Sequence, residues 1–479
     1  MTAHTVEKIG GTSMSDSRAV LDNILVGDRT GDDLYNRIFV VSAYGGITDS
    51  LLESKHDSVV GVFSLYSKTG SEWAWGDALS KVAQDMLEIN AGIFDDEGYR
   101  QRADHFVRER VEGVRSCLID LHRLCSYGHF NLPEHLHTVR EMLASLGEAH
   151  SAHNTALLLD KHGVNSRFVD LTGWRDELQP SLDERIIAAF AEIDTSSVLP
   201  IATGYAHCES GVVSQVGRGY TEVTFSRIAV LTGAREAIIH KEFHLSSADP
   251  AIVDSDRVQV LGRTNYDVAD QLSNMGMEAI HPGAAKGLRQ ADIPLRIRNT
   301  FEPADDGTVV SGDYVSEKPR VEIVTGTRDV YALEFLEQDM VGVKGYDSSI
   351  LEALTRHNVR VITKTSNANT IVHYVAGPLR AIKRVISDLQ RRFESATIST
   401  RKVAIVSAIG SDLQVQGLTG LAVSALSRAG IEILGVHQLL RNVDIIFVVG
   451  EKDYVGAVRA LHVALVEEKP NGSASTRAA

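Results

Sequence analysis

Residues 8–13 read KIGGTS and lie between a short apolar run and a helical pattern of apolar side chains at 19–25. A strand, a double-glycine turn and a helix form a geometry that handles phosphate, because glycines let backbone N–H groups approach an anion and a helix N-terminus favours negative charge. Lys8 adds a positive charge at the strand end, and the hydroxyls of Thr12 and Ser13 can donate to phosphate oxygens. The alternative is a tight turn that needs glycine for its shape alone.

A second double glycine follows the next strand. Residues 37–42 are almost all apolar, as in a strand covered on both faces, and residues 42–49 read SAYGGITD. Ligands of open α/β sheets bind at the carboxyl ends of the strands. Two such turns within forty residues indicate a shared anion cradle, although two unrelated turns would give the same pattern.

The composition limits the function classes. The chain has 479 residues and a net charge of −15, with 43% hydrophobic and 23% charged residues. The length predicts about two to four domains. The acidic balance argues against nucleic-acid binding, and no apolar run approaches the roughly 18 to 20 residues of a membrane span. The spacing of the three cysteines, Cys117, Cys125 and Cys208, is not that of a metal site. No secretory signal is visible, so reduced thiols in the cytoplasm are expected.

The order of the patterns predicts the organisation of the chain. Residues 71–165 are helical, and short apolar runs alternate with helices from 166 to 300, which predicts a mainly parallel α/β sheet. The stretch 299–320 is rich in Pro, Asp and Gly and is typical of a linker. Beyond it, residues 345–359 align with 417–431 at a constant offset of 72, so two copies of one unit are expected to pack together.

Several charged residues in the first part are candidates for binding an amino acid. Glu148, on a helix, could bind an ammonium group or could be a solvated carboxylate. Arg218 stands between two glycines, which leaves its guanidinium free to bind a carboxylate bidentately, and Glu222 follows it. The alternative is a surface turn. His150 and His153 are one helical turn apart but lack a third ligand, so they are interpreted as ordinary helix residues.

Taken in order, these motifs resemble the aspartokinase family, within the amino-acid kinase fold. The matched patterns are Lys-x-Gly-Gly-Thr-Ser at 8–13, Val-Ser-Ala-x-Gly-Gly-x-Thr-Asp at 41–49, Gly-Glu-x-x-Ser at 147–151, Gly-Arg-Gly at 217–219, Ala-Asp-Pro at 248–250 and Ile-Pro-x-Arg-x-Arg-Asn-Thr-Phe at 293–301. The repeat resembles the paired ACT regulatory modules of the same family, so the resemblance spans residues 4 to about 466.

The resemblance implies an α/β fold: a three-layer amino-acid kinase (carbamate kinase-like) domain with a mainly parallel central sheet, and two ferredoxin-like ACT domains. The implied bounds are 1–310 for the catalytic domain, 311–320 for a linker, 321–398 and 399–468 for the ACT domains, and 469–479 for a disordered tail. The implied activity is ATP- and Mg²⁺-dependent phosphorylation of the aspartate side-chain carboxylate to 4-phospho-aspartate.

The resemblance also assigns residues. Lys8 and Glu222 are the expected catalytic residues. The residues expected to bind ATP and its phosphates are Lys8, Gly10, Gly11, Ser13, Ser42, Gly46, Lys241 and Asp249. Those expected to bind aspartate are Thr48, Glu148, Tyr205, Arg218, Thr221 and Glu222. No protein ligand is assigned to the metal.

The chain also departs from the family pattern. The family has Gly-Ser-Asp where residues 220–222 are Tyr-Thr-Glu, and it has a different nucleotide segment where residues 240–247 stand. Glu278 replaces a usual lysine, and we hypothesise that Lys241 supplies the missing charge. Ile362 stands where lysine-inhibited relatives have an acidic residue. This divergence, with the acidic charge balance, resembles the aspartokinases of ectoine synthesis.

Two alternatives remain open at this point. One is another acyl-phosphate-forming kinase, acting on glutamate or acetylglutamate. The other is a catalytically silent amino-acid sensor that retains its ACT pair. The ACT pair implies a homo-oligomer, a dimer or a dimer of dimers, since exposed sheet edges invite pairing. A small effector is expected at the ACT modules, and the sequence does not identify it.

Overall fold

The computed structural model describes residues 4–53, 60–68, 72–217, 219–277 and 280–467. Within them the chain forms two compact units, one of Met1–Leu245 with Ile280–Gly312 and the other of Ser246–Ala279 with Asp313–Ala479. None of the described helices combines the length and apolar character that crossing a membrane needs.

The strands are numbered along the chain, and their bounds are β1 Thr5–Ile9, β2 Arg37–Val41, β3 Ser166–Val169, β4 Leu199–Thr203, β5 Glu236–Lys241, β6 Arg263–Asn265, β7 Leu295–Asn299, β8 Thr308–Ser311, β9 Ile323–Leu336, β10 Arg360–Ser366, β11 Thr370–Ala376, β12 Thr397–Ile409, β13 Ile433–Gln438 and β14 Asp444–Gly450.

The helices are numbered in the same way, and their bounds are α1 Gly11–Met14, α2 Ser17–Ala19, α3 Ile47–Leu51, α4 Val62–Lys68, α5 Glu72–Ile93, α6 Glu97–Ser126, α7 Leu132–Lys161, α8 Leu182–Phe190, α9 Val212–Val216, α10 Tyr220–Thr232, α11 Tyr266–Asn274, α12 Pro282–Gln290, α13 Tyr346–Arg356, α14 Leu379–Arg392, α15 Leu418–Arg428 and α16 Tyr454–His462. Short 3₁₀ turns occupy Gly31–Leu34, Gln338–Met340 and Glu451–Asp453, and π-helical turns occupy Val20–Leu25 and Val463–Glu467.

The first unit is built on a mainly parallel sheet in the order β3-β4-β2-β1-β5-β7-β8. The neighbours from β3 to β7 pair in parallel, and β8 runs antiparallel to β7. Every residue of β1, β2 and β4 is buried, as expected for strands covered on both faces. The prediction of a mainly parallel α/β sheet is therefore confirmed.

Helix α7 forms the interior of the helical region predicted at 71–165. All its side chains from 143 to 152 are buried, and a helix that is buried on every side belongs to a core. The core joins α7 to α5, α6 and the strands through apolar residues such as Leu143, Val107 and Leu79. This packing places Glu148 inside the molecule and excludes its interpretation as a solvated carboxylate.

The second unit contains an antiparallel sheet in the order β10-β11-β9-β12-β14-β13. The predicted repeat is visible in it, since α13 and α15 have eleven residues each and begin after Gly345 and Gly417, both with positive φ. Strands β9 and β12 are long because each serves both copies. Residues 330–336 of β9 pair with 397–403, and residues 323–327 pair with 405–409. The two copies therefore share one continuous sheet.

Two findings differ from the expected organisation. Part of the stretch 299–320 that is typical of a linker is strand β8, because its Thr-Val-Val-Ser run pairs with β7. Residues 246–279, inside the predicted catalytic domain, group with the second unit, where Ala248, Ile252 and Val253 join the core around Leu461. The predicted domain bounds stay predictions, and the predicted disordered tail lies outside the described residues.

Candidate active site

The two double-glycine turns lie side by side. They follow β1 and β2, which are neighbours in the sheet, so their carboxyl ends meet. The hydroxyl of Ser15 accepts the N–H of Gly45 at 2.9 Å and donates to the carbonyl of Gly11 at 3.3 Å. A Cβ on Gly11 would lie 2.7 Å from the carbonyl oxygen of Ala43, a backbone atom. Only glycine permits this approach at position 11.

A cleft of about 310 Å³ opens at these turns. Its walls come from the turns after β1 and β2, from α7 and from the start of α10. The lining residues are Lys8, Gly11, Thr12, Ser42, Ala43, Tyr44, Gly45, Gly46, Thr48, Asp49, Glu148, Gly219, Tyr220, Thr221 and Glu222. Among these described residues, Lys8 is the one that carries a positive charge.

Lys8 and Glu222 face each other in the cleft. The Nζ of Lys8 lies 3.4 Å from Oε1 of Glu222, and both side chains are about nine-tenths buried. The other oxygen of Glu222 accepts the backbone N–H of His281. Burial alone would raise the pKa of Glu222, but the charges of Lys8 and Lys241 outweigh it and lower the pKa. Glu222 is therefore ionised, and its charge holds the Lys8 ammonium at the glycine turn.

Glu148, which also lines the cleft, forms its acidic wall together with Thr221. The hydroxyl of Thr221 donates to its Oε1 at 2.6 Å, while its Oε2 is buried without a hydrogen-bond partner among the described residues. Burial raises the pKa of Glu148 to about 8, although the bond from Thr221 and the charge of Lys8 act in the opposite direction. A Cβ on Gly204 would lie 2.8 Å from Oε2. This oxygen is suited to a ligand that brings a positive charge.

A buried charge network supports the strand that carries Lys8. The Glu7 carboxylate accepts from the Nε of Arg37 at 2.8 Å and lies 2.9 Å from Nε2 of His240. Burial opposes the ionisation of Glu7, but the Arg37 guanidinium and the bond with His240 hold its pKa well below the usual range. The same Arg37 donates to the carbonyls of Ile24 and Leu25. The network ties β1, β2, β5 and the first helical turns together.

Ser13 makes a contact that the sequence pattern does not predict. Its N–H donates to Oε1 of Glu242 at 3.1 Å and its hydroxyl to the same oxygen at 3.4 Å. Thr300 in turn donates to the Ser13 hydroxyl at 3.0 Å. The Glu242 carboxylate thus accepts both the N–H and the hydroxyl of Ser13, the groups expected to bind phosphate. Ser13 does not line the cleft. A phosphate at Ser13 would have to compete with Glu242.

The other predicted site residues differ in how they relate to the cleft. Ser42, Gly46, Thr48 and Thr221 line the cleft with Lys8, Gly11, Glu148 and Glu222, whereas Gly10 lies just behind, where an added Cβ would be 3.9 Å from Nζ of Lys8. Lys241 does not line the cleft but acts on Glu222 electrostatically. Asp249 is exposed and belongs to the second unit, so it is described apart from this site.

Tyr205 takes an orientation that the sequence does not reveal. Tyr205 lines a second cavity and not the cleft, and its ring packs edge-on against Tyr220 with ring centroids 6.0 Å apart. Arg218 and Glu278, both singled out from the sequence, lie outside the described residues. Their roles stay predictions.

Several site residues escaped the sequence reasoning. Tyr44 and Asp49 line the cleft, and both stand inside the SAYGGITD motif, so that motif carried a usable signal. Glu242 and the backbone of His281 reach the site from distant segments, and no local pattern marks them. The same holds for Glu141, which accepts the N–H groups of Val213 and Ser214 at the start of α9.

The described residues suit a metal ion that arrives with a nucleotide. They contain no group of three or more His, Cys, Asp or Glu side chains that could hold an ion. Mg²⁺ is commonly bound by one or two carboxylates together with substrate phosphates, and Glu242 is the carboxylate next to the first glycine turn. His150 and His153, interpreted from the sequence as ordinary helix residues, make packing contacts: His150 is buried and bonds Asn90 at 2.7 Å, and the half-buried His153 stacks on Phe106.

Comparison with known proteins places this geometry in a family. The amino acid kinase family matches residues 4–299. Aspartate kinase Ask_Ect of Stutzerimonas stutzeri is 52% identical over 469 residues, which cover 98% of each chain. The crystal structure of E. coli aspartokinase III in complex with lysine and aspartate has a TM-score of 0.73 at 17% identity and covers 97% of this chain and 99% of its own.

A second structure of E. coli aspartokinase III, in complex with aspartate and ADP, has a TM-score of 0.71 at 17% identity, and covers 96% of this chain and 99% of its own. At these identities the two structures show the fold, and they confirm the predicted fold class. The Stutzerimonas relative, matched over nearly its whole length, shows the family. The chain belongs to the aspartate kinases of the amino acid kinase family, as the order of its motifs predicts.

Proposed function

We propose that the protein is an aspartate kinase, which transfers the terminal phosphoryl group of ATP to the side-chain carboxylate of L-aspartate. The observation that carries this proposal is one cleft in which the glycine turns and Lys8 face the acidic wall of Glu148 and Thr221. The first side suits a chain of phosphates and the second suits an ammonium group. The 52% identical aspartate kinase supports the same conclusion.

The reaction needs alignment more than a strong base. A carboxylate is already a nucleophile, so one of its oxygens attacks the γ-phosphorus, the bond from the γ-phosphorus to the β–γ bridging oxygen breaks, and ADP leaves with that electron pair. Catalysis then consists of holding the reactants in line and neutralising charge on the moving group. Lys8, placed by its contact with Glu222, supplies the neutralisation. A Mg²⁺ ion bound with the nucleotide would add a second positive charge there.

The acidic wall selects the substrate. The unpaired Oε2 of Glu148 would accept the α-ammonium of aspartate, and Thr48 and Thr221 would bond its polar atoms. Arg218 would bind the α-carboxylate, as its position between two glycines predicts. Use of ATP agrees with the E. coli relative, which was crystallised with aspartate and ADP.

Trapping of the acyl phosphate tests the proposal. With aspartate, Mg-ATP and hydroxylamine, the enzyme should form aspartyl hydroxamate in a one-to-one ratio with ADP. Glutamate and acetylglutamate should give none, which separates the protein from other acyl-phosphate-forming kinases. Aspartate binding in calorimetry without any ADP release would show a silent sensor instead, and would contradict the proposal.

Assembly, regulation and location are proposed at a coarser level. Edge strands β10 and β13 each leave one side unpaired within the described second unit, and we propose that a second copy covers them in a dimer or a dimer of dimers. A small effector would act at the ACT modules. The 4-phospho-aspartate product would enter the ectoine pathway. The three cysteines are free thiols, which supports a cytoplasmic location.

A further inference from the structure

A second cavity of about 380 Å³ lies in the first unit and is larger than the candidate active site. Most of its surface is apolar, with a few polar groups at the edges. The lining residues used below are Cys117, Glu141, Met142, Trp174, Tyr205 and His207. Small-molecule sites have this character: concave, largely apolar, and lined by aromatic side chains with few polar groups.

The aromatic wall of this cavity is held rigidly. The guanidinium of Arg110 lies 4.6 Å from the centre of the Trp174 ring and is anchored by bonds to Thr172 and Asp170. The Nε1–H of Trp174 is buried and has no acceptor among the described residues. An unused buried donor costs free energy unless a ligand or water completes it. Because Trp174 lines the cavity, a ligand with a hydrogen-bond acceptor could complete this donor.

The cavity is connected to the amino-acid wall through one helix. Glu141 and Glu148 are seven residues apart on α7, which places them on the same face of the helix. Glu148 reaches the cleft, whereas Glu141 lines the second cavity and accepts the N–H groups of Val213 and Ser214, the latter at 2.7 Å. Helix α9 is followed along the chain by α10, which carries Thr221 and Glu222.

We propose that this cavity binds a small cyclic, mainly apolar molecule with a hydrogen-bond acceptor, and that its occupancy changes the affinity for aspartate through Glu141 and α9. The volume supports the ligand class, since a cavity of about 150 Å³ already holds benzene. The binding half stands on the cavity alone. The coupling half rests on the proposed aspartate kinase function.

Cys117 gives a direct test of binding, because it is exposed, lines the cavity and is accessible to reagents. The probe is 4-methylphenol, and its binding to the full-length C125S protein is measured by saturation-transfer NMR. Labelling Cys117 with benzyl methanethiosulfonate should fill the cavity and reduce the probe signal at least threefold. The matched control is the same label on Cys125 in the C117S protein, because Cys125 is on the same helix but does not line the cavity, and it should leave the signal intact.

The outcomes distinguish the proposed binding at the cavity from the proposed coupling to aspartate affinity. No probe signal in the unlabelled protein, or a signal that survives the benzyl label on Cys117, would overturn the binding site. A label that instead changes the oligomeric state in sedimentation would show an interface between copies and would also overturn it. With binding established, the label or the saturating probe should change the KM for aspartate at least threefold; an unchanged KM would overturn the coupling. Absence of any aspartate turnover would count against the proposed function, while the NMR signal would still report on the cavity.

Discussion

Lys8 is the residue on which the proposed chemistry depends. Its ammonium is buried, lies over the first glycine turn and is held by an ionised Glu222. In the proposed mechanism it interacts with the phosphoryl group in the transition state rather than with aspartate in the ground state. Interactions made only in the transition state affect kcat, whereas uniform binding affects KM.

Substitution of Lys8 by alanine should therefore lower kcat by roughly 10²- to 10³-fold, as expected when one preorganised donor is lost. The KM for aspartate should change by much less. Steady-state kinetics with coupled ADP detection measures both values. Lys286→Ala, an exposed lysine of α12, is the matched control and should behave as wild type. A raised KM with an unchanged kcat would remove Lys8 from the transferring phosphate.

If Glu148 binds the aspartate ammonium as proposed, aspartate binding is expected to be coupled to the release of a proton. Burial raises its pKa to about 8, so the carboxyl is mostly protonated at pH 7, and the ammonium of aspartate favours its ionised form. Aspartate binding at pH 7 should therefore release about one proton. Calorimetry in two buffers of different ionisation enthalpy counts the protons. In Glu148→Gln any residual binding should release none, and equal heats in both buffers for the wild type would refute the assignment.

The same pKa shift predicts a pH dependence of stability. The folded state keeps the proton of Glu148 up to about pH 8, whereas the unfolded chain loses it near pH 4.5. The stabilising contribution of protonated Glu148 is thus complete below pH 4.5 and is lost as the pH rises to 8. Glutamine does not titrate, so the Tm of Glu148→Gln minus that of the wild type should increase between about pH 5 and 8 and then level off. Glu134→Gln, exposed on the same helix, should show no such trend.

At the scale of elements, the turn after β1 depends on close backbone approach. A Cβ at Gly11 would lie 2.7 Å from the Ala43 carbonyl, so the two glycine turns would have to separate. Gly11→Ala should therefore reduce kcat/KM for ATP at least tenfold. The control is Gly92→Ala in α5, where an added Cβ meets nothing within 4 Å, and it should raise stability by about 0.4 to 1 kcal/mol. Wild-type ATP kinetics in Gly11→Ala would show that the turn tolerates a side chain.

The sequence predicted the elements whose signals are local. The double glycines mark turns at strand ends, and the offset of 72 between Gly345 and Gly417 locates α13 and α15. It did not predict that β9 and β12 each extend through both copies of the repeat. A repeat shows which segments are alike, but strand pairing over 70 residues depends on tertiary packing. Strand β8 was missed because the surrounding Pro, Asp and Gly residues dominate the local pattern.

The candidate site was predictable to the extent that its residues lie in motifs. Lys8, Thr48 and Glu148 come from three motifs, and the structure brings them to one cleft. Glu242 could not be assigned to Ser13, because a contact across 229 residues leaves no local trace. The direction of the Tyr205 ring likewise depends on a distant contact, since the ring packs against Tyr220 of α10.

At the scale of the whole molecule, the regulatory modules predict a weak response to lysine. Ile362, in the slot where lysine-inhibited relatives have an acidic residue, is buried in β10 and offers an amine no charge. Lysine at about 10 mM would saturate a site with sub-millimolar affinity. At this concentration it should leave the rate of hydroxamate formation unchanged. Threonine and ectoine in the same assay would reveal a different effector. Inhibition by lysine at low millimolar concentration would contradict this expectation.

A crystal structure with aspartate and a non-hydrolysable ATP analogue tests the account most directly. The account predicts the terminal phosphoryl group at Gly11 and within hydrogen-bond distance of Nζ of Lys8. It predicts the ammonium of aspartate at Oε2 of Glu148, with the side-chain carboxylate in line with the phosphorus. Either ligand bound away from the cleft between Lys8 and Glu148 would contradict it.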